Sequence, residues 1–476
     1  MNGMMKISLE NIVKIVGHCE AFLAEAIFLN VRKTRSPRRF RLKDGGQVAP
    51  RNDKNLIFQM LFFFCLFSCT AFSQNAWEVY QQSLEKLSEK DTAAFLQFAQ
   101  QAHALAPKHP DIMVNLAKAF AMTGKKIKSI ELLDDISIIG VDYNVENDGG
   151  FMNIWRHSLL KEITARVKRN REIISSDLAY SLNEKDLIPE GITYDPRQQR
   201  LYLSSVYKRK IVFINSDGTF GDFFTEAQEG LYSTFGMKVD AAQNQLWVVG
   251  ILNHPKARLG NKGESTKAAV FQYNLETKKL IHQYLMNDTL QHMFNDLVIV
   301  GGNVFVTDTK QSAVYKIVPS KQTIEPWFQN NDSFHPNGIA VSQDQRYLFV
   351  AHWSGITRIS LADTQHIQLQ TKLNTTLSGI DGLYFYNNNL IAIQNKVGQQ
   401  SRVMRFDLNK ELNSVVRSTI LESGNPLFNV PTTGVVVNDE LYFIANSQLR
   451  SFNSDWTIYS DDKLQPPIIL KLPLSN

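Results

Sequence analysis

The chain is short of cysteine and of net charge, and each shortage excludes something. Its three cysteines are Cys19, Cys65 and Cys69. Everything after residue 69 therefore lacks thiols, which rules out a disulfide framework and thiol chemistry there. Lys and Arg number 51 against 46 Asp and Glu. Residues 1–54 hold eleven of the former and five of the latter, and without them the balance is 40 to 41. So neutral a remainder gives no case for nucleic acid. With 43% hydrophobic and 20% charged residues in 476, the composition is that of packed globular material with room for more than one domain.

Long apolar runs are scarce too, with one exception. Leu56 to Phe72 reads LIFQMLFFFCLFSCTAF, follows Lys54 and ends at Ala71-Phe72-Ser73, a small-x-small pattern before Gln74. This is the pattern of a signal peptide over residues 55–73. A membrane anchor is the alternative, for which the run is short. Cys69 in LFSC offers a lipidation reading that Phe67 fits poorly. The basic stretch VRKTRSPRRFRLK within residues 1–54 reads as an over-extended start or a disposable leader. The expectation is an exported protein, periplasmic or extracellular, with no membrane span in the mature chain.

Over residues 74–173 apolar residues recur at helical spacing. Leu116, Ala117 and Phe120 share one face and Gly124 marks a tight turn. The rhythm predicts a small α-helical domain resembling a tetratricopeptide hairpin of about one and a half repeats. So short an array needs something to pack on, so it is either a cap on the next domain or a docking site for a protein partner.

From 174 to 476 the texture changes to short alternating strands, and six lines share one grammar: EGITYDPRQQRLYLSSV, FGMKVDAAQNQLWVVGI, NDLVIVGGNVFVTDT, NGIAVSQDQRYLFVAHW, DGLYFYNNNLIAIQN and TGVVVNDELYFIANS. Each has a Gly or Asp, an alternating strand, a polar turn and a second strand. The anchors Gly191, Gly236, Asp296, Gly338, Gly382 and Gly434 are spaced as four-stranded blades, with NHPKARLGNKGEST as a loop insertion. The prediction is a mainly β fold, a six-bladed β-propeller closed by PIILKLPL with help from DLAYSL.

In a propeller the leading residue of each inner strand stands at one mouth of the axial channel. Here those residues are Glu190, Phe235, Asn295, Asn337, Asp381 and Thr433. Glu190, Asn295, Asn337 and Asp381 would form an oxygen-only cage of charge −2, which suits one Ca2+ ion better than zinc or copper. The competing explanation is that Asn and Asp often begin strands after turns. Four in register, with a Glu among them, favour the metal. His292, His335 and His254 stand where they could line the same mouth, while His352 is expected to pack within its blade. Asp308 and Asn395 end second strands, where they either support the ligand residues or, as the favoured reading, make the ordinary hydrogen bonds of a blade.

The segments PEGITYD, FNDLVIV, HPNGIAVS and GIDGLYFY resemble the blade signatures of the SMP-30, gluconolactonase, paraoxonase and diisopropylfluorophosphatase group over about residues 178–475. That resemblance implies calcium ligation by Glu190, Asn295, Asn337 and Asp381, a base or nucleophile role for Asp381, and hydrolysis of a lactone or related ester. A metal-binding propeller without catalysis, serving as a ligand- or protein-binding module, is the other reading. Met293 stands where sugar-acid lactonases of the group keep an arginine, and Ser233-Thr234-Phe235 where paraoxonases place a histidine. With Phe235 at the mouth, and Tyr232 and Trp353 near it, the expected small-molecule substrate is apolar.

Overall fold

Alternation of apolar and small residues across short polar turns produces six antiparallel meanders in the computed structural model, which describes residues 75–169, 172–259, 264–286, 288–330 and 334–475. The expected leader over 1–54, the expected signal over 55–73 and Cys69 lie outside the described residues. Blade one comprises Pro189–Asp195, Arg200–Ser205, Ile211–Asn215 and Phe220–Phe224. Blade two comprises Ser233–Asp240, Gln245–Leu252, Lys267–Asn274 and Leu280–Leu285. Blades three, four and five begin with Phe294–Val300, Ile339–Val341 and Ile380–Tyr386.

Blade six closes the ring. Gly434–Val437, Glu440–Ile444 and Ile468–Pro473 take Asp177–Ser181 as their outermost strand, and Leu178 pairs with Leu470. Both ends of the propeller thus meet in one sheet, so no inner edge is left open. The fold is mainly β, a six-bladed propeller preceded by helices. The core lies between the blades: Phe235, Trp247 and Phe294 pack where blades two and three face each other, and Phe349, Leu383 and Phe406 do so for blades four and five.

Among the described residues five α-helices precede it. In α1 (Ala76–Ser88) the Asn75 side chain caps the first turn by accepting from Glu78 N at 2.9 Å, and in α2 (Thr92–Leu105) Asp91 does the same for Ala94 N at 3.0 Å. α3 (Pro110–Met122) opens on a proline, whose missing N–H costs nothing in a first turn. α4 (Lys126–Ile139) ends at Gly140 with φ +78°, and α5 is Ser158–Arg169. The pair α1 and α2 repeats as α3 and α4, with starts 34 residues apart. Among the described residues no helix is long and apolar enough to cross a membrane.

The helices and the propeller belong to one compact unit spanning Ser73–Asn476, and the helices sit on blades four and five. Trp353, just past the second strand of blade four, stacks on His109 at 4.2 Å and meets Trp77 edge-on at 5.0 Å, with Tyr80 at 6.1 Å. Lys108 Nζ donates to the carbonyls of Thr371 and Leu373 at 2.7 and 3.1 Å. On blade five, buried Arg402 donates to the Ile139 carbonyl at 3.0 Å and Gln399 N to the Asp142 carbonyl at 2.7 Å. Ile173 then pairs with Ser423.

Candidate functional site

The inner strands of blades one, two, three and five all break register at the same place: between Pro189 and Ile192, Thr234 and Met237, Phe294 and Leu297, and Ile380 and Leu383. Each break straddles the leading residue and the one after it. A bulge there re-aims the leading residue away from the ladder and toward the axis.

The glycines that follow explain how tightly the ring is drawn. A methyl group at Gly191 would lie 2.0 Å from the Phe235 carbonyl oxygen, one at Gly236 2.6 Å from that of Asn295, and one at Gly338 2.3 Å from that of Asp381. At Gly382 it would lie 3.0 Å from the Thr432 oxygen. Hydroxyls complete the circle: Thr307 Oγ1 donates to Asn337 O at 2.7 Å, and Thr433 Oγ1 to Glu190 O at 2.5 Å. The six leading residues are therefore consecutive members of one ring, from Glu190 back to Glu190.

Side chains are joined across that ring. Asn337 Nδ2 donates to Asp381 Oδ1 at 2.8 Å, and Asn395 Nδ2 donates to Asp381 Oδ2 and to Pro431 O. Both carboxylate oxygens of Asp381 are thus held from two directions. Asn295 Nδ2 donates to Thr309 Oγ1 at 2.9 Å. With their N–H groups directed at these neighbours, Asn295 and Asn337 keep their carbonyl oxygens as the ends that can meet a cation.

Tyr384, packed in the core between blades five and six, reaches the ring with its hydroxyl. Its hydroxyl accepts from Gly434 N, in space left by the absent side chain of Gly382. Burial first, then the charges of Asp296, Asp381 and Glu190, push its pKa well above the usual phenol value, although the Gly434 N–H works against this. Three carboxylates therefore act on one phenol. Asp296 was not among the residues expected at the site, yet it stands where the other five blades have glycine. It is buried, its Oδ1 is 3.4 Å from Lys238 Nζ, and its Oδ2 has no hydrogen-bond partner.

Among the described residues no group of three or more His, Cys, Asp or Glu is arranged to hold a metal. The ring offers a different set, two carboxylates and two amides. Hard oxygen donors without sulfur or imidazole, beside an unpartnered buried carboxylate oxygen, fit a calcium ion.

The histidines divide by what their ring nitrogens do. His292 is buried with Nδ1 on Asp308 and Nε2 2.9 Å from Asp288, between the rings of Phe294 and Tyr315. Burial lowers its pKa, but the bonds from Asp308 and Asp288 outweigh that and raise it. The structure thus places His292 in the face between blades rather than at the mouth. His254 Nδ1 accepts from Lys256 N at 3.3 Å, so its proton is on Nε2. Its ring meets Phe235 edge-on at 5.3 Å, and burial, then the Lys256 charge, pushes its pKa down to about 4. Lys256 Nζ reaches across to Leu449 O at 2.7 Å, so this loop roofs the blade-one side.

His335 has φ +40°, a left-handed conformation uncommon for a side-chain-bearing residue. Its Nδ1 lies 3.3 Å from the Thr309 carbonyl, so the proton is there and Nε2 keeps its lone pair. Burial lowers its pKa. His352 packs inside its blade against Thr357 Oγ1 at 3.0 Å, as expected. Phe235 gives its ring to the core beside Ile188 and Val206. Tyr232 packs on Phe271, and Trp353 lies under the helices.

Burial around the ring is uneven. Glu190, Phe235, Asp381 and Thr433 are 4%, 4%, 6% and 6% exposed, whereas Asn295 and Asn337 are half-buried. Solvent reaches the ring through blades three and four, where Met293, Thr309 and His335 are also half-buried. A cavity of about 560 Å³ lies elsewhere, lined by Lys108, His109, Thr371, Thr376 and Leu377 among others, and none of the leading residues borders it.

No family model and no curated protein matches the chain. Among solved structures it is similar to a gluconolactonase from Xanthomonas campestris, with 16% identity over 64% of this chain and 94% of that one and a TM-score of 0.43. It is similar to virginiamycin B lyase from Staphylococcus aureus, with 14% identity, 62% and 98% coverage and a TM-score of 0.42. It is also similar to an aldose sugar dehydrogenase from Streptomyces coelicolor, with 12% identity, 63% and 97% coverage and a TM-score of 0.42.

Proposed function

We propose that this is an exported, calcium-dependent hydrolase of the gluconolactonase and paraoxonase type that opens a lactone or a related ester, with a tetratricopeptide-like helical segment ahead of its propeller. The observation that carries the reading is the axial ring itself. Glu190, Asn295, Asn337 and Asp381 come from four blades to places on it, the last three consecutive and Glu190 set apart from them by Phe235 on one side and Thr433 on the other, and Asp381 is hydrogen-bonded to Asn337. The resemblance of PEGITYD, FNDLVIV, HPNGIAVS and GIDGLYFY to the SMP-30 group supports the same assignment. The 34-residue offset between helix pairs is the tetratricopeptide period.

Glu190, Asn295, Asn337 and Asp381 would hold the ion, which supplies a Lewis acid for a carbonyl oxygen. The chain's own residues supply position and base. Asn337 and Asn395 fix the Asp381 carboxylate in one orientation, so it faces a ligand without first losing rotamer freedom. Access through blades three and four puts that ligand against Asn295 and Asn337.

The test is hydrolysis of a panel of aliphatic and aromatic lactones by the full chain, with chelator and with calcium restored. Turnover lost to chelator and regained with calcium is the expected result, and Asp381→Asn should abolish it while the fold is kept. A thermal midpoint that rises with calcium while no lactone or ester turns over would refute the hydrolase and favour the non-catalytic binding module.

A further inference from the structure

The half-buried sector of the ring has a wall that does not belong to the propeller. Trp77, in the first turn of α1, is half-buried and sets its ring 5.4 Å from that of His335, edge to face. His335 stands two residues before Asn337, and the Thr309 carbonyl beneath it belongs to the residue whose hydroxyl accepts from Asn295. From the helix to the ring the contacts run without a gap: Trp77 to His335, His335 to Thr309, Thr309 to Asn295.

Trp77 is fixed in that place. Its other neighbours are Trp353 at 5.0 Å and Tyr80 at 6.3 Å, and Trp353 is itself stacked on His109 from the start of α3. The positive φ of His335 turns the chain so that the imidazole meets the helix, and backbone strain of this kind persists where the surroundings impose it. On the opposite side the ring is roofed by the loop that carries His254 and Lys256. The indole therefore stands beside the half-buried sector that holds Asn295 and Asn337.

We propose that the helical segment completes the substrate pocket and that Trp77 sets its specificity, taking the apolar substituent of the lactone or ester whose carbonyl oxygen meets the axial site. The inference rests on the hydrolase reading and adds the substrate class: a lactone bearing an alkyl or aryl group, not a polar sugar acid. A rigid aromatic wall discriminates by contact area, and a few methylene groups of contact are worth a factor of ten or more.

The experiment compares kcat and KM of the full, calcium-loaded chain for γ-butyrolactone and for γ-lactones with alkyl tails of increasing length. In Trp77→Ala the preference for long over short tails, as a ratio of kcat/KM, should fall by about tenfold, carried mainly by KM. Trp77→Phe should recover much of it, and Trp155→Ala, on an exposed indole elsewhere, should leave the ratio alone. Calcium-dependent thermal midpoints of every variant report whether the fold and the metal site persist.

An unchanged ratio in Trp77→Ala, or equal losses on all lactones without recovery in Trp77→Phe, overturns the proposal while the hydrolase reading stands. A wild-type chain that hydrolyses no lactone overturns both.

Discussion

Gly191→Ala is the sharpest test of the ring. The new methyl would lie 2.0 Å from the Phe235 carbonyl oxygen, 2.9 Å from its carbon and 3.0 Å from Ser204 Oγ. The first two atoms are backbone, inside the bulge of the next blade, and no side-chain rotation can move them. Blades one and two would have to part by more than about 1 Å at the axis to restore an ordinary contact. Overpacking of this kind costs about 1–3 kcal/mol, and a clash with backbone sits at the upper end. Loss of backbone freedom in the unfolded chain returns at most about 1 kcal/mol. The expected net destabilisation is about 2 kcal/mol, read from urea midpoints in chelator. Gly149→Ala is the control, since nothing lies within 4 Å of its added methyl, and it should fall within about 0.5 kcal/mol of wild type. Because Glu190 precedes Gly191, the calcium concentration at half-effect should rise as well. If the two alanine variants unfold together, the inner strands do not meet as described and the ring loses its support.

Two further perturbations report on the surroundings of the site. The pKa of His292 is raised by Asp308 and Asp288 against burial, so its stabilising contribution is complete below its unfolded value, about 6.5, and is lost as pH rises through the folded one. The stability difference between wild type and His292→Gln should therefore be largest near pH 6 and shrink in alkali, and a difference constant with pH would refute the charged bridge. Trp353→Ala removes stacking with His109 and edge contacts with Trp77, costing about 3 kcal/mol of helix docking. Limited proteolysis should then cut near residues 158–176 while the propeller survives, and unchanged resistance would refute the docking role.

Where sequence spoke clearly and where it did not follows from periodicity. The blades were legible because each repeats a strand, a turn and a strand, and because Asp177–Ser181 and Ile468–Pro473 had to close a ring. The ring positions were legible because a leading residue keeps its register however far apart its partners lie. Asp296 was legible in principle, as the one carboxylate in a column of glycines. His292 was expected near the mouth because Asn295 is close in sequence, but alternation along an extended chain puts it on the face of Phe294, into the core between blades. The seat of the helices had no such signal. Trp77, His109, Trp353 and Arg402 are single residues spread over the chain, and nothing repeats around them. Their joint position follows only once both the helix pairs and the blades have formed. The seat of the helices beside the ring is therefore the part that periodicity does not encode, whereas the ring itself is written six times over.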